Sequence, residues 1–155
     1  IRDSSGGSQS VSITLTSNES APTVTLTVSA SSINENAGSS VTITATLSGT
    51  TYENVTVGLG FSGATEGTDF TDGSGSVDDI TISAGSTTGT VSFTPSDDAA
   101  DPVYEENETA IISIGSVSGG DATENGTQSV TITITENESA PTVNLSVSAS
   151  SQWRP

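Results

Sequence analysis

Residues 41–47 read VTITATL. Val41, Ile43, Ala45 and Leu47 fall on one side of an extended chain, and Thr42, Thr44 and Thr46 on the other. A period of two over a β-branched-rich stretch specifies a strand with one packed face and one wet face. The same alternation recurs outward in both directions. Val24, Leu26 and Val28 alternate with Thr and Ser in 24–30, and Val55, Val57, Leu59 and Phe61 do so in 55–61. Shorter runs follow around Ile80 and Ile82, around Val91 and Phe93, and at Ala110, Ile112 and Ile114. The last is 130–134, with Val130, Ile132 and Ile134. Gly, Ser, Asn and Asp separate them, and no stretch has a helical period. The pattern predicts an all-β chain: seven antiparallel strands in a β-sandwich.

The two ends of the chain repeat each other. Residues 10–32 read SVSITLTSNESAPTVTLTVSASS and residues 129–151 read SVTITITENESAPTVNLSVSASS, identical at 18 of 23 positions with a constant offset of 119. An internal period fixes architecture before any local reading, and a period this long is that of a whole small domain. The expected organisation is therefore a window on a tandem array. Residues 1–21 carry the last strand of a preceding repeat, and 22–140 form a complete domain. Residues 141–155 carry the first strand of a following repeat and then the non-repeat end Gln152–Pro155, where Arg154 stands at the counterpart of Glu35. Ser20-Ala21-Pro22 and Ser139-Ala140-Pro141 lie between units, where a residue that cannot donate to a ladder suits the passage from one sheet to the next.

Nineteen acids face only Arg2 and Arg154, for a formal charge of −17, with no histidine and no cysteine. Phosphate backbones need a basic surface, so a nucleic-acid partner is not expected. Attachment to anionic lipid is disfavoured for the same reason, and no apolar stretch is long enough for insertion into a membrane. Disulfides supply no stability. Self-repulsion of this size keeps a protein soluble but works against its compact state.

The acids of the complete unit gather at strand ends and loops: Glu35, Asp69, Asp97, Asp98, Asp101, Glu105, Glu106, Glu108, Glu136 and Glu138. In a sandwich of alternating strands every second loop lies at the same end, so 33–38, 66–73, 97–108 and 136–138 converge. Two carboxylates about 4 Å apart repel by roughly 4 kcal/mol at an effective dielectric near 20. A divalent cation is the economical remedy. Ca²⁺ accepts six to eight oxygens in irregular geometry, and the absence of His and Cys removes the usual ligands of zinc and copper. Each acid also has a plain reading: a solvated loop acid for Glu35, a turn-stabilising bond for Asp69, strand-end protection for Asp97 and Asp98, a solvated run for 105–108. Six Asn-x-Ser/Thr sequons, at Asn18, Asn54, Asn107, Asn125, Asn137 and Asn144, arise easily in so Ser/Thr-rich a chain.

Taken in order, these segments resemble the Calx-β domain family. Asn34-Glu35-Asn36-Ala37-Gly38 is similar to the family's "xEN-G" opening, and Gly67-Thr68-Asp69-Phe70 to its "G-[ST]-D-[YF]" turn. Residues Ile82 to Ser86 with Gly89-Thr90-Val91 resemble its mid-domain hairpin. Asp97-Asp98 followed by Glu105 to Thr109 resembles its "DD…E-x-[DN]-E" segment, and Val130 to Glu138 its last strand and acidic end. The resemblance covers the whole period. It implies a seven-stranded, immunoglobulin-like sandwich with calcium sites at one end, and as ligands Glu35, Asp69, Asp97, Asp98, Asp101, Glu105, Glu108, Glu136 and Glu138. The sequence departs from the family at Glu136-Asn137-Glu138, where an Asp triplet is common; this favours fewer or looser ions.

The expected function is that of a calcium-binding structural repeat of an extracellular or cell-surface protein, an adhesin or stalk, in which Ca²⁺ stiffens the array. Its partners are adjacent repeats or neighbouring copies, with a cell-surface or glycan ligand among those an adhesive surface takes. Two alternatives differ in kind: a filament subunit assembling by intermolecular strand addition, and a calcium-sensing regulatory domain. No enzyme is expected, since His, Cys and Lys are missing for acid–base or nucleophilic work and little aromatic surface exists to hold a sugar between paired carboxylates.

Overall fold

The structure is a computed structural model that describes residues 10–16, 18–72, 77–96 and 104–148. Among these residues there is no helix, and none therefore long and apolar enough to cross a membrane. Ten strands form in chain order: β1 (Thr23–Val28), β2 (Ser32–Asn34), β3 (Val41–Leu47), β4 (Val55–Gly63), β5 (Phe70–Thr71), β6 (Ile80–Ile82), β7 (Thr88–Pro95), β8 (Glu108–Ser118), β9 (Thr123–Glu124) and β10 (Ser129–Thr135). They make two five-stranded sheets, β5-β7-β3-β1-β9 and β2-β10-β8-β4-β6, an all-β, sandwich-like arrangement. The seven alternating segments of the sequence fall in β1, β3, β4, β6, β7, β8 and β10. The other three strands are two or three residues long, too short to show a period.

Register follows from the alternation. Val24 sits opposite Leu47, Leu26 opposite Ala45 and Val28 opposite Ile43. Val41 faces Phe93 and Ile43 faces Val91 across the next pair. In the second sheet Val130 meets Ile112 and Ile132 meets Ala110. A slip by one residue would turn every one of these side chains to water. The inward residues form one core in which Val24, Ile43, Ala45, Val55, Val57, Phe70, Ile80, Ile82, Phe93, Ala110, Ile112 and Ile132 are fully buried. Phe70 anchors it near one end, its ring stacked on Phe93 at 4.5 Å between centroids and tilted against Phe61 at 5.2 Å.

The four sheet edges are the short strands β5, β9, β2 and β6, and very short edge strands are one device by which sheets limit edge-to-edge pairing. Two glycines let the longest pair, β4 and β8, close at both ends. Gly63 has φ 88° and a Cβ there would lie 2.0 Å from the Thr109 carbonyl oxygen; Gly119 has φ 92° and a Cβ would lie 2.1 Å from that of Asn54. No L side chain fits either position without moving the backbone.

The chain changes sheets between β1 and β2. β1 begins beside the loop after β3, where the Ser48 amide donates to the Thr23 carbonyl. β2 then runs parallel to β10 in the other sheet, Asn34 beside Thr135. The unit therefore starts at one pole and ends at the opposite one. We call these the linker pole and the acidic pole. Residues 10–16 and 141–147 belong to no strand.

Candidate metal centre

The acidic pole is built by running the inward stripes of three strands past the core. Ile33 in β2 is followed two residues later by Glu35. In β8, Glu108 precedes Ala110 and Ile112. In β10, Ile132 and Ile134 are followed at the same spacing by Glu136 and then Glu138. A side chain two residues along a strand keeps the same face, which places Glu108 on the inward face of β8; Glu35, Glu136 and Glu138 lie just past the ends of β2 and β10, where the apolar core ends. Glu108 lies directly opposite Ile134 across the ladder.

Glu35, Glu136 and Glu138 bring one carboxylate oxygen each within 4.8 Å of one another. Glu35 is buried, 8% exposed. At that separation two like charges repel by about 3.5 kcal/mol at an effective dielectric near 20. The backbone offsets part of this. The Asn137 amide donates to Glu35 Oε1 at 3.1 Å and to Glu136 Oε1 at 2.8 Å, and the Glu138 amide donates to Glu136 Oε1 at 2.8 Å. The Glu105 amide donates to Glu136 Oε2, and the Asn137 side-chain amide to Glu138 Oε1 at 2.7 Å.

These contacts split the acidities of the group. Burial, and then hydrogen bonding with Glu136 and Glu138 and repulsion from Glu136, push the Glu35 carboxyl up to about 7 against the lowering bond from the Asn137 amide. Hydrogen bonds from the Glu138 backbone, then from its neighbouring carboxyls and the Glu105 amide, hold Glu136 down at about 2. Without a cation, Glu35 takes up its proton as the pH falls through about 7, because one site cannot hold every charge at once.

A cleft of about 100 Å³ adjoins the triad, lined by Glu35, Thr68, Asp69, Ser96, Glu105, Glu108 and Ile134. That is room for an ion with two or three waters. Glu108 is half-buried and raised above the ordinary carboxylate range by burial and by the nearby Asp69 and Glu105. Asp69 also carries out its plain role: its carboxylate accepts from the Thr65 amide, while its own amide donates to the Thr65 carbonyl at 2.8 Å. The turn thus fixes an acid at the cleft wall.

Of the acids singled out in the sequence, Glu35, Asp69, Glu105, Glu108, Glu136 and Glu138 meet at this pole. Asp97, Asp98 and Asp101 lie outside the described residues. Asn107 and Asn137 have positions that their sequons hide. The Glu136 amide donates to Asn107 Oδ1 at 2.9 Å, tying the 104–107 segment to the end of β10, and Asn137 supplies the donors described above. Thr68 and Ser96 add neutral oxygens beside the acids, a contribution no pattern of charges reveals.

The donor set is oxygen only, mostly anionic and irregular. It suits a hard divalent cation with a flexible coordination number better than one that demands nitrogen or sulfur. No protein-family model matches the chain, and no curated protein matches it.

Proposed function

We propose that residues 22–140 are a calcium-binding structural unit of a tandem array on an extracellular or cell surface, of the Calx-β kind. In this reading seven principal strands follow an immunoglobulin-like order, and β2, β5 and β9 are short additions at the sheet edges. The observation that carries the reading is the meeting of Glu35, Glu136 and Glu138 within 4.8 Å, one of them buried, in a chain with net charge −17. Ca²⁺ at this pole would replace the shared proton, relieve the repulsion and cross-link the ends of β2 and β10. Asp69, Glu105 and Glu108 would serve the same ion or a neighbouring one across the cleft.

The acidic pole leads straight into the next linker, since Glu138 is followed by Ser139, Ala140 and Pro141. An ion held there stiffens the exit of the unit as well as its core. This supports a stalk, spacer or adhesive role, with no catalytic step assigned to any residue.

Isothermal titration of the chelated chain with Ca²⁺ is expected to give saturable heat. Asp78→Asn should leave the affinity within twofold, because Asp78 is exposed ahead of β6 and away from the cleft lining. No heat, or an equal loss of affinity from Asp78→Asn and from Glu136→Gln, would mean diffuse counter-ion screening and no coordination site.

A further inference from the structure

Residues 10–16, SVSITLT, match β10, SVTITIT, at five of seven positions, in the same phase. In β10 the inward side chains are covered: Ile132 and Ile134 are buried and Val130 is half-buried. Their counterparts in 10–16 are bare, with Val11 88%, Ile13 81% and Leu15 93% exposed. A lone alternating strand is not stable in water, so this segment has a seat elsewhere.

That seat is not in its own unit. The place between β8 and β2 is filled by β10, and the tether forbids exchange within the chain. If 10–16 took that place, Thr16 would lie where Thr135 does, beside Asn34 at the acidic pole. Thr23 is fixed at the linker pole, and the unit between the two is about as long as the eleven-residue β8, ~35 Å. Residues 17–22 reach at most about 25 Å when fully extended.

A second observation lies at the linker pole. Glu19, Ser20, Ala21 and Pro22 line a pocket together with Thr50, Thr51, Tyr52 and Gly120. Its rim carries an 85% exposed tyrosine, Tyr52. By the 119-residue offset Glu19 corresponds to Glu138 of the acidic triad. The linker that lines this pocket is thus the counterpart of the exit from the acidic pole, with Ser17 standing where Glu136 does.

We propose that residues 10–16 are the closing strand of a second unit of this sequence type. There they pair antiparallel with its β8-type strand and parallel with its β2-type strand, and that unit's acidic pole abuts the pocket at Thr50–Tyr52 and Gly120. The short tether makes the contact end to end and directional, acidic pole onto linker pole. Glu19 is then at once a member of one unit's acidic cluster and a wall of the next unit's pocket. The inference rests on the tandem-array reading but not on calcium.

The test is a two-unit chain in which residues 22–128 are placed directly before residue 10 of the natural sequence, so that Ser10 follows Gln128 as Ser129 does. Hydrogen exchange of the distinctive 10–16 peptide is read in saturating Ca²⁺ and again in chelator. Amides 12–15 are expected to exchange at least ~100-fold more slowly than in the 155-residue chain. The calorimetric enthalpy should about double, and Ile13→Asp should return both to the one-unit values. Oxidative footprinting, with the added body carrying Tyr52→Phe, should find Tyr52 of the original unit shielded. Unprotected 10–16 amides, an added body that does not fold, or a Tyr52 as reactive as in the 155-residue chain would overturn the proposal. Absence of any Ca²⁺ effect on these readouts would count against the metal reading alone.

Discussion

In chelator the chain is expected to melt at a higher temperature at pH 5 than at pH 8, and millimolar Ca²⁺ is expected to reverse that order. The first half follows from Glu35. Its carboxyl is held at about 7 in the folded chain against an ordinary value of 4.5. A group raised on folding contributes stability that is complete below its unfolded value and is lost as pH rises through its folded one. The window is therefore about pH 4.5 to 7, and the contribution is on the order of 2 kcal/mol. Glu108 is raised too and acts in the same direction. Glu136 acts oppositely. Held at about 2, it contributes above pH 4.5 and loses that contribution as pH falls towards 2, so metal-free stability peaks on the acid side of neutrality. The second half follows from competition. A cation needs the carboxylates without their protons, so it binds better at pH 8. At a hundredfold excess over its dissociation constant it adds about 2.7 kcal/mol, roughly 10 °C for a unit of this size. Scanning calorimetry at the two pH values, with and without Ca²⁺, reads both halves. A metal-free chain more stable at pH 8, or the same order in both conditions, would contradict the account.

Glu35→Gln is expected to have opposite effects with and without metal. The amide has nearly the volume of the carboxyl and stands in for its protonated form, which metal-free Glu35 gives up as pH rises through about 7. Its oxygen still accepts from the Asn137 amide, as Glu35 Oε1 does now at 3.1 Å, and its NH₂ can donate to Glu136. In chelator at pH 8 the variant should therefore be more stable than the parent, by on the order of 1 kcal/mol, since a buried like charge has been removed. In Ca²⁺ it should be less stable, with affinity reduced at least ~10-fold, because an anionic ligand has been lost. Urea midpoints at fixed pH with and without metal measure both. Destabilisation in both conditions would make Glu35 a structural acid, and no change in either would make it a solvated one.

The strands were legible in the sequence because threonine and aliphatic residues alternate so strictly that only one face of 41–47 or 130–134 can be buried. The short strands were not. Ser32–Asn34 carries no period of its own; it is a strand because the chain leaves one sheet after Val28 and pairs beside Thr133–Thr135 of the other. That is a long-range event. The parity that builds the acidic pole was present in the letters. Ile33 and Glu35, Glu108 and Ala110, and Ile134 and Glu136 are each two apart, so the acids continue the core stripes. A sequence reader meets them first as charged loops. The order of the segments, more than any single acid, pointed to one gathering place. What remained hidden was the polar scaffold. Asn107 accepts from the Glu136 amide and Asn137 donates to three carboxylates, and such bonds depend on backbone geometry that a sequon or a charge run does not encode.

The most direct test of calcium binding at this pole is amide NMR of the chelated chain through a Ca²⁺ titration. The amides of Glu105, Asn137 and Glu138 donate to the clustered carboxylates and should show the largest, saturable shifts, together with Glu35. Those of Thr51, Glu53 and Gly120 at the opposite pole should hardly move. Small shifts spread evenly over the acidic surface, without saturation, would contradict the account.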